Sequence, residues 1–295
     1  MTLYAPCYYQ KFACIAGECR HSCCVGWEID VDKKALKKYR RLKDKDILAS
    51  IDRNGAPHFC LGEDERCPHL DEEGLCRIIL KYGDEGLCDI CREHPRFYHD
   101  TVKGREVGIG MSCEEACRLI LSEDFTVVEI GKEKGRVRPS RFDALPEREK
   151  IYTILSDKKL SYPERLSKIA EGYGIALKAD TSVFASLEYL KEENRARFVD
   201  AIPFTPIAST PKEMEEYLLR ALVYFVYRHV TAAKSESEAR MAVGFSLLCE
   251  RLLCSLAVKE NALTFSAYAE LARTASEELE YSVDNTERIK FSFFM

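Results

Sequence analysis

Cysteine is the residue type in this chain whose number and spacing could do chemistry. Twelve of the fourteen cysteines fall within the first 117 residues, and the run CIAGECRHSCC alone places Cys14, Cys19, Cys23 and Cys24 inside eleven positions. A second set follows at Cys67, Cys76, Cys88, Cys91, Cys113 and Cys117, with Cys7 and Cys60 apart from both. No packed core needs sulfur at this density. Several thiolates converging on one point are what a zinc ion or an iron–sulfur cluster requires. Cys88 and Cys91 have the CxxC spacing that suits zinc, Fe–S or redox work. Neighbouring side chains point in different directions, so Cys23 and Cys24 could serve two centres, or one could ligate while the other reacts. The runs match neither the common zinc-finger spacings nor the bacterial or plant-type ferredoxin runs.

The surroundings of these thiols decide what they mean. The chain starts without the basic segment and apolar run of a signal peptide, and no stretch of roughly 18 apolar residues offers a transmembrane span. A cytoplasmic location is therefore expected, where clustered cysteines bind metal more often than they form a disulfide scaffold. The formal charge of −5 argues against nucleic-acid binding, which needs clustered Lys and Arg facing phosphate.

The elements that must position the thiols are short. WEIDVD, residues 27–32, alternates like a strand, and Asp32 can cap a basic helix, KKALKKYRRL. FYHDTVKGREVGIGM reads as a hairpin turning at Lys103-Gly104. Ser112 and Glu115 form a capping-box pattern, which would put Cys113 in the first turn of the next helix, where the partial positive charge favours a thiolate. Beyond about residue 125 only Cys249 and Cys254 remain, as small buried hydrophobes. Helical periodicity predicts helices near 146–157, 162–172, 182–193, 211–233, 236–259 and 265–280, with Thr210-Pro211 opening the fourth. The tail RIKFSFFM reads as an edge strand or a mobile end. The expected fold is α+β, mostly α: a small irregular Cys-rich metal-binding domain over residues 1–125, then an all-α helical bundle over 126–295.

At this point the chain resembles a known family. FACIAGECRHSCCVGW, CPHLDEEGLCRI, CREHPRF and SCEEACRLIL occur in the order and with the gaps of flagellin lysine-N-methylases, within the wider class of cysteine-cluster proteins that chelate zinc or iron. The resemblance covers residues 10–125. It implies that Cys14, Cys19, Cys23, Cys24, Cys67, Cys76, Cys91 and Cys113 occupy the family's metal-ligating cysteine positions, and that Cys7, Cys60, Cys88 and Cys117 are accessory or inert. It implies a cytosolic methyltransferase that uses S-adenosylmethionine to methylate lysine side chains of flagellin, or of another Lys-bearing protein, and that depends on a [4Fe–4S] cluster, with zinc as the alternative metal. Eight thiols exceed the four ligands of one cubane, so a second site stays open. The CxxxCxxC signature of radical S-adenosylmethionine enzymes is absent; Cys19-x3-Cys23 preserves half of it.

Other features carry plainer readings beside functional ones. VVEIGKEKGR, residues 127–136, resembles a Rossmann glycine loop but has only Gly131 and Gly135. His69 and His94 adjoin candidate ligands and could ligate or hydrogen bond nearby; His21 and His229 are weaker candidates. Arg92 and Arg96 could offset cluster charge or form structural ion pairs. The acidic turns Glu63-Asp64-Glu65 and Asp71-Glu72-Glu73 and the basic helix 33–43 read first as solvated faces. Tyr8, Tyr9, Tyr98, Glu93 and Asp100 are imaginable participants in methyl transfer, and none stands out as catalytic. The competing function is a non-catalytic zinc- or iron-binding protein that stores metal or presents an interaction surface.

Overall fold

The computed structural model describes residues 1–62, 64–176 and 181–293. In chain order the elements are β1 Thr2–Pro6, α1 Lys33–Leu42, α2 Lys45–Ala49, β2 Ile51–Asp52, β3 His58–Phe59, α3 Arg77–Tyr82, α4 Asp89–Glu93, β4 Arg96–Asp100, β5 Arg105–Ile109, α5 Glu114–Ser122 and β6 Val127–Lys132. Eight helices follow: α6 Leu145–Ser156, α7 Tyr162–Gly172, α8 Thr181–Ala185, α9 Glu192–Asp200, α10 Glu215–Phe225, α11 Glu236–Lys259, α12 Phe265–Glu280 and α13 Val283–Phe291. The fold is mostly α with a small sheet.

The chain forms two compact units, but the division does not fall at residue 125. One unit holds Ala13–Arg96 and Cys113–Glu115; the other holds Met1–Phe12, Phe97–Ser112 and Ala116–Met295. The reason is strand pairing. β1 lies parallel to β5 and antiparallel to β6, giving the order β4-β5-β1-β6. The first residues and the hairpin thus belong with the helices, and the second unit is not all-α.

In the thiol-rich unit, Asp32 caps α1 as expected, accepting from the Lys34 and Ala35 amides at 2.8 and 3.0 Å. Its other carboxylate oxygen accepts from the Asp89 amide at 2.7 Å, at the start of α4. Asp44 caps α2 and also takes Lys81 at 2.6 Å and the Tyr82 hydroxyl at 2.7 Å. These bonds hold its carboxyl well below the usual range, the Lys81 ammonium contributing most. The expected strand over 27–32 does not form. Ile29 and Val31 are buried, as alternation requires, but the segment makes only a single bridge, Asp30 to His58. Ile29, Val31, Tyr39, Ile47, Phe59 and Ile78 form a small core with Cys67 and Cys88.

In the helical unit, α6, α7, α11 and α12 fall where periodicity puts them. The hairpin closes as expected, the Thr101 amide donating to the Gly104 carbonyl at 2.8 Å. The helix expected over 182–193 is broken instead. The Glu188 amide donates to Asn285 at 2.9 Å and the Leu190 amide to Glu278 at 2.8 Å, so side chains from distant helices take the backbone groups a helix would use. The helix expected over 211–233 begins with a 3-10 turn, Lys212–Met214, and ends in a widened π turn, Val226–Val230. The tail is neither strand nor free end up to Phe293. Ser282 caps α13, and Phe293 lies over Gly244, where a Cβ would come within 2.5 Å of its ring. The segment 127–136 does not have the arrangement of a Rossmann loop, because β6 is antiparallel to β1 and the next helix, α6, starts only at Leu145.

Among the described residues one helix, α11, is long and apolar enough to cross a membrane, and 94% of its most apolar stretch is buried inside the unit. It also carries Glu250 and Arg251, which pair in the core; Glu250 accepts from the Tyr162 hydroxyl at 2.8 Å. Cys249 and Cys254 are buried on this helix.

Candidate metal centre

The local turns of the thiol-rich unit explain how cysteines distant in sequence become neighbours. Cys14 and Cys19 flank a 3-10 turn, Ala16–Glu18, whose Ala16 amide donates to Cys14 Sγ at 3.4 Å. Gly17 in that turn lies against the Glu73 carbonyl, where a Cβ would sit 2.5 Å from the oxygen, and the facing Gly74 has φ +76°. Only glycines permit this approach and this backbone. The Cys67 amide donates to the Cys24 carbonyl at 2.7 Å beside a bridge from Val25 to Arg66. Cys76 and Cys88 are the N-cap residues of α3 and α4, so both stand at helix starts.

Two groups of thiols result. Cys24, Cys67, Cys76, Cys88 and Cys91 are electrostatic neighbours, packed in or against the unit's core. Within it Cys88 and Cys91 Sγ lie 3.4 Å apart. Burial pushes the Cys67 thiol up to about 12, and the thiols of Cys24, Cys76 and Cys88 add to it. The Cys88–Cys91 contact lowers Cys88 and raises Cys91. A hydrogen bond from Cys23 is the main cause that brings Cys24 down to about 7, with help from the Ser22 hydroxyl and Arg66. The other group is Cys14, Cys19, Cys23 and Cys113. Burial raises Cys19 to about 11; its Sγ lies 3.7 Å from Glu114 Oε2, and Arg20 holds that carboxylate at 2.8 Å. Cys14 and Cys23 are exposed. The adjacent thiols of Cys23 and Cys24 are hydrogen bonded to each other and so link the two groups. Cys113 lies one residue before α5, not inside its first turn.

The geometry separates the accessory cysteines. Cys88 stands inside the first group, beside Cys91, although the resemblance leaves it out. Cys60 is exposed. Cys7 and Cys117 belong to the helical unit, where their thiols contact the carbonyls of Asp124 at 3.0 Å and Ala269 at 3.3 Å. His69 is buried, with Nε2 2.8 Å from the Ser50 hydroxyl and its ring edge-on to Phe59. Burial lowers His94 to about 4, keeping it neutral. His229 lies in the helical unit against Glu280 at 2.6 Å. Arg92 pairs with Asp89 and Glu93. Glu63 lies outside the described residues.

Among the described residues no three Cys, His, Asp or Glu side chains are close enough, as they stand, to enclose one ion. The donor chemistry nevertheless fits a thiophilic centre. The first group supplies more than four thiols. The buried hydroxyl of Tyr39 has no partner, and Cys88, Cys91, Asp32 and Cys76 are its electrostatic neighbours. A hydroxyl donor buried without an acceptor is costly, and a thiolate or sulfide at this position would satisfy it. Nothing in the sequence of α1 distinguishes Tyr39 from an ordinary core tyrosine, so this signal emerges only in the fold.

Comparison with known proteins gives three relatives. Over 168 residues the chain is 29% identical to flagellar biosynthetic protein FliU of Salmonella muenchen, a match spanning 52% of this chain and 96% of that protein. It is 30% identical over 137 residues to lysine-N-methylases of Salmonella typhimurium and Salmonella choleraesuis, spanning 42% of this chain and 33% of each of theirs. The chain thus spans about a third of the length of the relatives named as methylases. No protein-family model and no solved structure matches it. The chain is therefore related to the proteins of Salmonella named lysine-N-methylase and to FliU.

Proposed function

We propose that this protein is a methyltransferase that modifies lysine side chains of flagellin, with S-adenosylmethionine as methyl donor and an iron–sulfur cluster held by the thiol-rich unit, in the cytoplasm. The observation that supports the activity is the similarity to proteins named lysine-N-methylase. What supports the cluster is the grouping of Cys24, Cys67, Cys76, Cys88 and Cys91, three of them beside an unpartnered Tyr39 hydroxyl.

Four of those five thiols would hold a cubane, which would supply electron transfer, and three would leave one iron open to a ligand. The chain's own residues have a narrower task. The apolar core around Cys67 and Cys88 keeps water from the sulfurs. Cys76 and Cys88 place two sulfurs at helix starts, where amide dipoles stabilise thiolate charge. Asp32 fixes the start of α4, and with it Cys88, through the Asp89 amide. A lysine amine, with a pKa of about 10.4, must be neutral to accept a methyl group. A desolvated pocket would favour that form.

The test is anaerobic purification followed by metal analysis, an absorption spectrum and transfer of labelled methyl groups to flagellin. About four irons per chain, a brown colour and labelled flagellin are expected; Cys88→Ala should lower the iron content. Stoichiometric zinc, with no methyl transfer, would replace this reading with a structural metal protein.

A further inference from the structure

Helix α1 of the thiol-rich unit carries a dense charge that the fold leaves unmatched. Residues 32–46 hold eight Lys and Arg and three carboxylates, in a chain whose formal charge is −5. By helical period Lys33, Lys34, Lys37, Arg40 and Arg41 share one face, opposite the buried Ala35 and Tyr39. All five are exposed, as are Lys43 and Lys45 just beyond the helix, and none makes an ion pair among the described residues. The carboxylates at the two ends are turned inward. Asp32 accepts from the Lys34, Ala35 and Asp89 amides, and Asp44 holds Lys81 and Tyr82. Asp46 is exposed on α2. Asp84 and Glu85 lie beside Lys38, whose ammonium donates to the Glu85 carbonyl. With those two counted, cations still exceed carboxylates by eight to five.

This charge is placed against local preference. Lys33 and Lys34 occupy the first turn, where the helix dipole disfavours cations, and no acid stands in that turn to offset them. Lys33 and Lys37, Lys34 and Lys38, and Lys37 and Arg41 are like charges four residues apart, a spacing at which repulsion weakens a helix. Lys43 ends the helix with φ +53°, a conformation that favours glycine. The fold gives these cations no partner, so the departures point to a partner outside it.

Apolar side chains stand at one end of the same face. Leu42, the last residue of α1, is 40% exposed. Lys81 and Tyr82 end α3 on Asp44, which brings the preceding Ile79 and Leu80, 41% and 64% exposed, to that end of α1. Leucine beside lysine suits a membrane interface, which takes apolar side chains beneath its charged headgroups. Nucleic acid would use the cations alone. Most of the exposed cations are lysines, point charges on flexible stems. They suit a mobile layer of phosphates better than the fixed, forked pairing through which arginine recognises a protein carboxylate.

We propose that α1 attaches this protein to the surface of a bilayer rich in anionic phospholipid. Lys33, Lys37, Arg40 and Arg41 lie against the headgroup phosphates, and Leu42 and Leu80 enter the edge of the acyl layer. Attachment of this kind is peripheral and sensitive to salt. It requires neither methyl transfer nor a flagellin substrate.

The test is co-sedimentation of the anaerobically purified protein with vesicles of mixed phosphatidylglycerol and phosphatidylcholine, compared with vesicles of phosphatidylcholine alone. Binding to the first, released by high salt, and none to the second are expected. Lys37→Ala and Arg41→Ala should each weaken binding about fivefold, and the triple variant with Lys33→Ala on the order of a hundredfold. Leu80→Ser should weaken binding without changing its salt dependence. A variant combining Lys158→Ala, Lys159→Ala and Lys212→Ala removes the same charge at exposed positions elsewhere and should bind like the wild type. Every substituted side chain is exposed, so the variants should fold, which circular dichroism and metal content check. Wild-type binding by the folded α1 triple variant would remove α1 from the attachment. Failure of the wild type to sediment with the anionic vesicles would overturn the proposal, and so would preferential capture of an oligonucleotide present in the same mixture, which would assign the face to nucleic acid.

Discussion

The two units bury polar groups in opposite ways. In the helical unit the buried charges are matched within the fold. Arg148 forks onto Glu106, also donating to the Thr231 hydroxyl at 3.1 Å; Arg251 pairs with Glu250; Arg228 and His229 share Glu280. In the thiol-rich unit Asp44 and His69 are buried with partners, and buried or half-buried sulfurs crowd the core beside a tyrosine hydroxyl with no partner. Its helices run from five to ten residues, too short to persist alone. The helical unit pairs its buried charges, although the Tyr268 hydroxyl, His99 Nε2 and Arg148 Nε have no partner among the described residues; the other unit differs in the crowding of its sulfurs. If the proposed cluster is held there, metal would be part of folding in the thiol-rich unit and not in the other.

The largest effect that could break this contrast is metal removal. A chelator, or air oxidation followed by chelation, is expected to strip amide protection from residues 13–96 while the helical unit keeps its own. Hydrogen exchange with mass spectrometry reads both in one experiment; equal loss in the two units, or in neither, would end the comparison. Next comes Arg148→Met, which leaves Glu106 buried without its partner. It should destabilise the helical unit by about 3–5 kcal/mol in chemical denaturation, with the metal content of the other unit unchanged.

Acid should act on the helical unit by a smaller, graded amount. Burial lowers His229 to about 4, and it lowers His99 to about 3. Both rings are neutral in the fold and would take a proton more readily when unfolded. Their contribution is present above the unfolded value, near 6.5, and is lost as pH falls from there towards 4 and 3. Glu280 extends the window. Burial opposes its charge, but Arg228, His229 and Ser276 outweigh it and hold it at about 2, so its contribution fades between about 4.5 and 2. Melting temperature of the helical unit should therefore fall steadily below about pH 6.5, and His229→Gln should flatten the upper part of that slope. The smallest effect belongs to Cys60→Ser. This thiol is exposed and belongs to neither group, so metal content and exchange protection should match the wild type. A loss of metal would redraw the boundary between ligand and bystander thiols.

Local rules carried far in some places. The Asp32 cap, the hairpin turn at 101–104, and the helices 145–156, 162–172, 236–259 and 265–280 follow from capping residues and apolar period, which act within a few positions. They failed where a distant group intervened. Asn285 and Glu278 take the amides around residue 190, and no property of the segment 182–193 announces that competition. Phe293 finds its place because Gly244, on another helix, leaves room for it. At the candidate centre, the inventory of thiols was legible from density and spacing, but Cys88 and the Tyr39 hydroxyl became recognisable only from what surrounds them.

The sequence by itself determined which residues are metal-binding candidates, most of the long helices, and that the chemistry-bearing thiols crowd the first third of the chain. Tertiary structure decided how those thiols group, with Cys23 and Cys24 in contact where the two groups meet. It also decided that residues 2–6 close a sheet with 105–109 and 127–132 rather than staying with the cysteines beside them. The physical reason is range. Caps, turns and periodicity are set by residues within one or two turns of chain, whereas strand partners and shared burial are chosen among groups about a hundred residues apart, where only the packed fold brings them into contact.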